Sequence, residues 1–138
     1  HILQQAGIAQ DRQAREVQDV VEWCNGQGFP MIPGCATPTE MELAMAQGLR
    51  MVKFFPAQVA GGAPMLRAVQ PVYPRLSFLP TGGIGEENLQ DYLSLPNVIA
   101  CGGSWLTPAR LVETENWEEI ASLCRKTARL VRRLRPVE

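Results

Sequence analysis

The chain has 138 residues, 46% of them apolar and 20% charged. That is the size and balance of one folded domain with an apolar core, and it excludes a disordered chain or a coiled coil. Thirteen basic against fourteen acidic residues leave a net charge of -1, so there is no electrostatic case for nucleic acid binding.

The first fourteen residues are rich in glutamine, with only Ile2, Leu3 and Ile8 available to pack, and they predict no element. The chain opens on His1 rather than Met, which suggests a fragment or a processed product. No apolar run reaches the ~18 residues of a membrane-spanning helix, and the opening lacks the basic-then-apolar order of a signal peptide. From about Arg15 a helix carrying Val17, Val20, Val21 and Cys24 runs to Asn25-Gly26. The first apolar run, Phe29 to Gly34, leads to Thr37-Pro38-Thr39-Glu40. Thr37 as N-cap, Pro38 at N1 and Glu40 in the capping-box position predict a helix through Met41, Leu43, Ala44 and Met45, stopped at Gly48. The second run is Met51-Val52-Lys53-Phe54-Phe55, ended by Pro56; Pro64 then opens a short helix with Met65, Leu66, Ala68 and Val69. The third run, Leu76 to Pro80, leads into Thr81-Gly82-Gly83-Ile84-Gly85 and a helix expected over Glu86 to Leu95. The fourth, Val98 to Cys101, leads into Gly102-Gly103-Ser104-Trp105. Trp117 to Leu134 has helical periodicity, its arginines complementing the helix C-terminus.

Strand starts near positions 30, 51, 76 and 98 fall 21, 25 and 22 residues apart. Such a cadence of nearly continuous apolar strands predicts α/β architecture, with about four parallel strands buried on both faces and flanking helices. The four cysteines, Cys24, Cys35, Cys101 and Cys124, form no CxxC pair and have no histidine nearby. No metal site is expected, and they read as reduced, mostly packed thiols.

Lys53 is one of only two lysines, and it is flanked by apolar neighbours on an interior strand. Burying an ammonium costs several kcal/mol, about enough to demand a reason. One reading is an amine nucleophile whose pKa burial depresses, able to form a Schiff base with a carbonyl. The other is an edge-strand lysine that snorkels to water. Gly82-Gly83 and Gly102-Gly103 both follow strand ends, where α/β folds place ligands. Their N–H groups could approach a phosphate, with Ser104 adding a hydroxyl. Helix ends near Glu86 and Thr107-Pro108 could add dipoles. Cys35, Cys101, Glu40, Glu42 and Trp105 read as packing or capping residues.

Four stretches resemble the aldolases of 2-keto-3-deoxy-6-phosphogluconate (KDPG) and 4-hydroxy-2-oxoglutarate (KHG). They are Ile32 to Glu40, Val52 to Ala57, Leu79 to Ile84 and Gly102 to Leu106, in the family's order and spacing. The resemblance covers roughly residues 15–134, while 1–14 match poorly. It implies a metal-free and cofactor-free class I aldolase, a lyase of the Entner-Doudoroff pathway. It also implies a cytoplasmic homo-oligomer, usually trimeric, on a (β/α)8 TIM barrel. Lys53 falls on the Schiff-base lysine, and Phe55 and Thr81 fall on substrate-binding positions. Gly82, Gly83, Gly103 and Ser104 fall on the phosphate-binding loops. The expected substrates are a phosphorylated keto acid and pyruvate.

The family carries about four further βα units upstream, which supply an acid/base glutamate and a carboxylate-binding arginine. Neither has a matching position here, and the strand expected ahead of the first helix is not recognisable in His1 to Ala14. The chain therefore reads as one N-terminally truncated domain, 1–138, the C-terminal half of the barrel. It is expected to be weak or inactive alone, and open sheet edges should favour self-association. Two alternatives stay open: an inactive phosphate-binding half-barrel, and a different phosphate-binding barrel enzyme with no need for Lys53.

Overall fold

Three of the apolar runs become parallel strands in the computed structural model, which describes residues 18–135. Expectations placed on residues 1–17 lie outside the described residues. The strands are β1 (Gly34–Cys35), β2 (Met51–Phe54) and β3 (Ser77–Pro80), hydrogen-bonded in that order. Gly34 pairs with Lys53, and Lys53 in turn with Leu79. β1 is shorter than the sequence predicts because Pro30 and Pro33 bring no N–H to a ladder. Pro33 still contributes its carbonyl, which accepts from Lys53 N at 2.8 Å.

The expected fourth strand lies beside β3, yet it is joined only by parallel bridges at Phe78–Val98 and Thr81–Gly102. Between those bridges β3 advances three residues and its neighbour four. One residue too many acts as a bulge and interrupts the ladder.

Helices follow the strands. Residues 18–27 are helical (α1). Then come α2 (Pro38–Ala46), α3 (Gly62–Val69), α4 (Leu89–Leu93), α5 (Ala109–Glu113) and α6 (Trp117–Leu134). The start of α2 is the predicted capping box: Thr37 Oγ1 accepts from Glu40 N, and the Glu40 carboxylate accepts from Thr37 N at 2.8 Å. Gly48, at φ 79, terminates the turn after it. The helix expected over Glu86 to Leu95 is shorter, Leu89–Leu93, because residues 86–88 form a turn instead.

Strand alternation decides what the sheet faces. Val52, Phe54 and Phe78 are fully buried, and they pack with Met41 and Ala44 of α2, Leu66 and Val69 of α3, and Leu89 and Tyr92 of α4. Phe54 and Phe78 meet edge to face at 6.4 Å. Met51, Lys53, Ser77 and Leu79 point the other way and are only half-buried. The sheet is therefore covered on one face, not on both as the apolar runs predicted. Among the described residues no element covers the second face, which in a barrel would be the interior.

The last helix lies across the outer layer. Leu130, Val131 and Leu134 pack on the core, and Arg135 donates to the carbonyls of Leu93 and Leu95 at 2.7 and 2.6 Å. Lys126, the other lysine, pairs with Glu86 on the surface. No described helix is long and apolar enough to cross a membrane.

Candidate active site

Lys53 stands on β2 next to its C-terminal end, on the face turned away from the helices. The alternation that buries Val52 and Phe54 puts it there. Its burial is partial, so the sequence was right about the interior strand and overstated the enclosure. Phe55, two residues on, shares that face and is 50% exposed. Its ring centroid lies 4.7 Å from the Lys53 Nζ, a cation–π contact that holds the amine at the strand mouth.

Thr81 extends β3 to the level of Phe55: Thr81 N donates to the Phe54 carbonyl at 2.9 Å. Its Oγ1 is buried and has no hydrogen-bond partner. Such an orphan is costly in an apolar core but useful beside a ligand carbonyl or carboxylate. The bridge from Thr81 to Gly102 then joins the two glycine loops. A Cβ on Gly102 would sit 2.9 Å from the Thr81 hydroxyl oxygen. At Gly82, with φ 99, a Cβ would stand 3.3 Å from the Phe55 ring. At Gly103 it would collide with the Trp105 ring and lie 2.9 Å from the Ile84 carbonyl oxygen. Backbone and aromatic ring approach each other too closely here for any larger residue.

The structure therefore brings Lys53, Phe55, Thr81, Gly82 and Gly102 to one end of the sheet, with Gly83 and Gly103 in the adjoining loops. Ser104 opens a short 3-10 turn, Ser104–Leu106, and is exposed. The helix ends contribute less than predicted. α4 and α5 each have five residues, too short for a substantial dipole. Backbone N–H groups are the main polar resource of these loops.

The residues expected to be inert are so for visible reasons. Burial and the nearby Glu40 carboxylate push the Cys35 thiol up to about 11. Burial does the same for Cys101, also to about 11, with Arg135 opposing. Cys124 departs from expectation: it is exposed rather than packed. The Glu40 carboxylate is engaged by Ala36 N, Thr37 N and the Thr37 hydroxyl. Trp105 is half-buried, with an unpartnered Nε1. Sequence reasoning missed Gln58, Asn88 and Tyr92, which form a hydrogen-bonded group behind the Gly82-Gly83 loop. Asn88 looks in sequence like an ordinary N-cap, so no local signal marks it.

A family model described as KDPG and KHG aldolase matches residues 16–123. The chain belongs to that family. The KDPG aldolase of Haemophilus influenzae is 42% identical over 82% of this chain and 53% of its own length. That of Treponema pallidum is 43% identical over 81% and 53%. The chain thus spans about half the length of the curated relatives it matches. Among solved structures, a KDPG aldolase from Legionella pneumophila holds pyruvate captured at low pH as a covalent carbinolamine. It is 46% identical and superposes with a TM-score of 0.68, covering 70% of this chain and 47% of its own. A KDPG aldolase of Zymomonas mobilis with 3-phosphoglycerate is 36% identical with a TM-score of 0.64, covering 66% and 44%. The resemblance and the α/β barrel-type fold expected from four motifs are both borne out. The KDPG/KHG aldolase segment present here is the βα succession that carries Lys53 and both glycine loops.

Proposed function

We propose that this chain carries the nucleophile and the phosphate cradle of a class I aldolase. Its substrate would be 2-keto-3-deoxy-6-phosphogluconate, with 4-hydroxy-2-oxoglutarate as a second. The carrying observation is the placement of Lys53 beside Phe55 at the end of the uncovered sheet face, with Thr81 and the glycine loops at the same end.

Neutral Lys53 Nζ attacks the C2 carbonyl, and loss of water leaves an iminium. The C3–C4 bond breaks, its electron pair flowing into the iminium to give an enamine. The C4 hydroxyl loses its proton as glyceraldehyde 3-phosphate departs. Protonation at C3 and hydrolysis then release pyruvate and the free amine. In this scheme Thr81 donates to the pyruvyl end and Phe55 packs along it. Gly82, Gly83, Gly103 and Ser104 hold the phosphate.

No carboxylate pairs with Lys53 among the described residues, and Glu40 is committed to its helix cap. Turnover by the chain alone should therefore fall short by the ~100- to 10,000-fold that general acid–base groups supply. This fits a reading of residues 1–138 as one domain comprising part of a barrel, which self-associates or needs the remaining half; the family resemblance adds a cytoplasmic homo-oligomer, a trimer, to the proposal. An inactive phosphate-binding half-barrel is the competing reading.

Borohydride reduction in the presence of pyruvate separates them. The nucleophile reading expects the mass of one reduced pyruvyl group on Lys53, absent in Lys53→Met. An adduct that persists in Lys53→Met, or no adduct on the parent chain, refutes it.

A further inference from the structure

We propose that Asn88 is a positioning residue of the phosphate loop: its carboxamide orients the Gly83–Ile84 peptide so that the Ile84 N–H joins those of Gly82 and Gly83 in facing the anion. The proposal rests on reading the Gly82-Gly83 loop as part of the phosphate cradle and deepens it.

Three successive peptide planes in this loop are each held by their carbonyl. The Thr81 carbonyl accepts from Ala57 N at 2.8 Å, and the Gly82 carbonyl accepts from Gln58 N at 3.0 Å. The Gly83 carbonyl accepts from Asn88 Nδ2 at 2.9 Å. In a trans peptide the N–H points opposite to the carbonyl of the same plane. Pinning these three carbonyls therefore turns the N–H groups of Gly82, Gly83 and Ile84 away from the donors. None of the three N–H groups has a partner among the described residues. Gly82 and Gly83 reach this arrangement at φ 99 and 71, conformations natural to glycine. Asn88 Oδ1 also accepts from Gly85 N at 2.9 Å, which closes the run.

Two of the three donors are backbone; the third is a side chain, and so it can be removed. Asn88 stands at the N-cap of α4, yet its side chain makes no capping bond to that helix. It is spent entirely on the loop and on Gln58. Gln58 Oε1 accepts from Tyr92 OH at 2.8 Å and lies 3.4 Å from Asn88 Nδ2. Tyr92 is buried, and burial raises its phenol above the ordinary value, so it remains a donor at neutral pH. The loop is pressed onto this group: a Cβ on Gly83 would fall 2.6 Å from Gln58 Cβ.

The test is an amide-resolved NMR titration of the 138-residue chain with inorganic phosphate. The parent should shift the amides of Gly82, Gly83 and Ile84 together. Asn88→Ala should weaken phosphate binding about tenfold, the worth of one charge-assisted contact, and lose the Ile84 shift selectively. Asn88→Asp keeps the acceptor for Gly85 N but loses the donor, so it should show the same selective loss. This guards against a variant that fails to fold. Three results overturn the proposal. They are no phosphate shift at these amides in the parent, parent-like binding in both variants, and a uniform loss at all three amides that tracks a lowered melting temperature. Pyruvate trapping on Lys53 is scored separately. Phosphate shifts without trapping sink the nucleophile, and trapping without phosphate shifts sinks the loop assignment.

Discussion

Three glycine-to-alanine substitutions separate the two costs that a Cβ can impose. Gly34 is in ordinary strand conformation with nothing within 4 Å of an added Cβ. Gly48 has φ 79 and equally open surroundings. Gly83 has φ 71, and its Cβ would stand 2.6 Å from Gln58 Cβ. Gly34→Ala should therefore be neutral or stabilising by up to ~1 kcal/mol, through a less flexible unfolded chain. Gly48→Ala meets left-handed strain alone, about 1–2 kcal/mol. Gly83→Ala adds an overpacking cost of roughly 1–3 kcal/mol, for a total near 3 kcal/mol. Gln58 cannot retreat cheaply, because its N–H and side chain are both bonded. At about 3–5 °C per kcal/mol for a chain of this size, the melting temperature should fall by ~10 °C in Gly83→Ala and ~5 °C in Gly48→Ala. Scanning calorimetry or thermal circular dichroism reads all three. Equal melting temperatures for the Gly48 and Gly83 variants would refute the contact argument. A large loss in Gly34→Ala would refute the open inner face.

Other outcomes follow from the buried and titratable groups. Partial burial tends to raise the Glu40 pKa, but the hydrogen bonds from Ala36 and Thr37 win and hold it below its usual 4.5. A depressed carboxylate stabilises the fold above its unfolded value, and that stability is lost as pH falls through the folded one. The advantage of the parent over Glu40→Gln in urea, about 1 kcal/mol at pH 7 for a capping contact, should therefore vanish on acidification below pH 4.5; an unchanged gap in acid would count against the capping account. With thiols near 11, Cys35 and Cys101 should resist iodoacetamide at neutral pH until the chain unfolds, while exposed Cys124 reacts first. Peptide mapping showing equal labelling would contradict this. Phe54→Ala should cost about 3–5 kcal/mol. Phe55→Ala, its exposed neighbour on the opposite face, should change stability by under ~1 kcal/mol and slow pyruvate trapping on Lys53.

What the sequence disclosed was whatever local chemistry decides. The Thr37-Glu40 cap, the strand at Met51–Phe54 and the glycine loops were legible because each follows from neighbours in the chain. The two-sided burial was misread because an apolar run states that a strand is hydrophobic, not which elements come to lie over it. Leu79 and Met51 are apolar and still face an uncovered side. The fourth strand was overestimated for a related reason. The bulge between Val98 and Gly102 depends on how that run registers against Phe78 and Thr81, a relation between distant segments. Gln58 was invisible because its contact with Asn88 spans 30 residues in sequence; Asn88 bonds locally to Gly83 and Gly85, but its position reads equally well as an ordinary helix cap.

The spacing of the site suggests why the nucleophile and the anion loops occupy neighbouring βα units. Strands stand about 4.8 Å apart, so the loops after β3 and after the run beside it lie roughly 5–10 Å across from the β2 lysine. In the proposed phosphorylated substrate, six bonds of about 1.5 Å separate the C2 carbon from phosphorus, a zigzag reach of ~7–8 Å. One end can thus be covalently held on Lys53 while the other rests against Gly82, Gly83 and Gly103. Pyruvate and 4-hydroxy-2-oxoglutarate carry no phosphate, so their capture tests the amine without testing the cradle. Substitution at Gly83 should then depress reaction with the phosphorylated acid far more than trapping of pyruvate. Equal losses for both would mean that the loop supports the fold of the strand mouth rather than gripping the substrate.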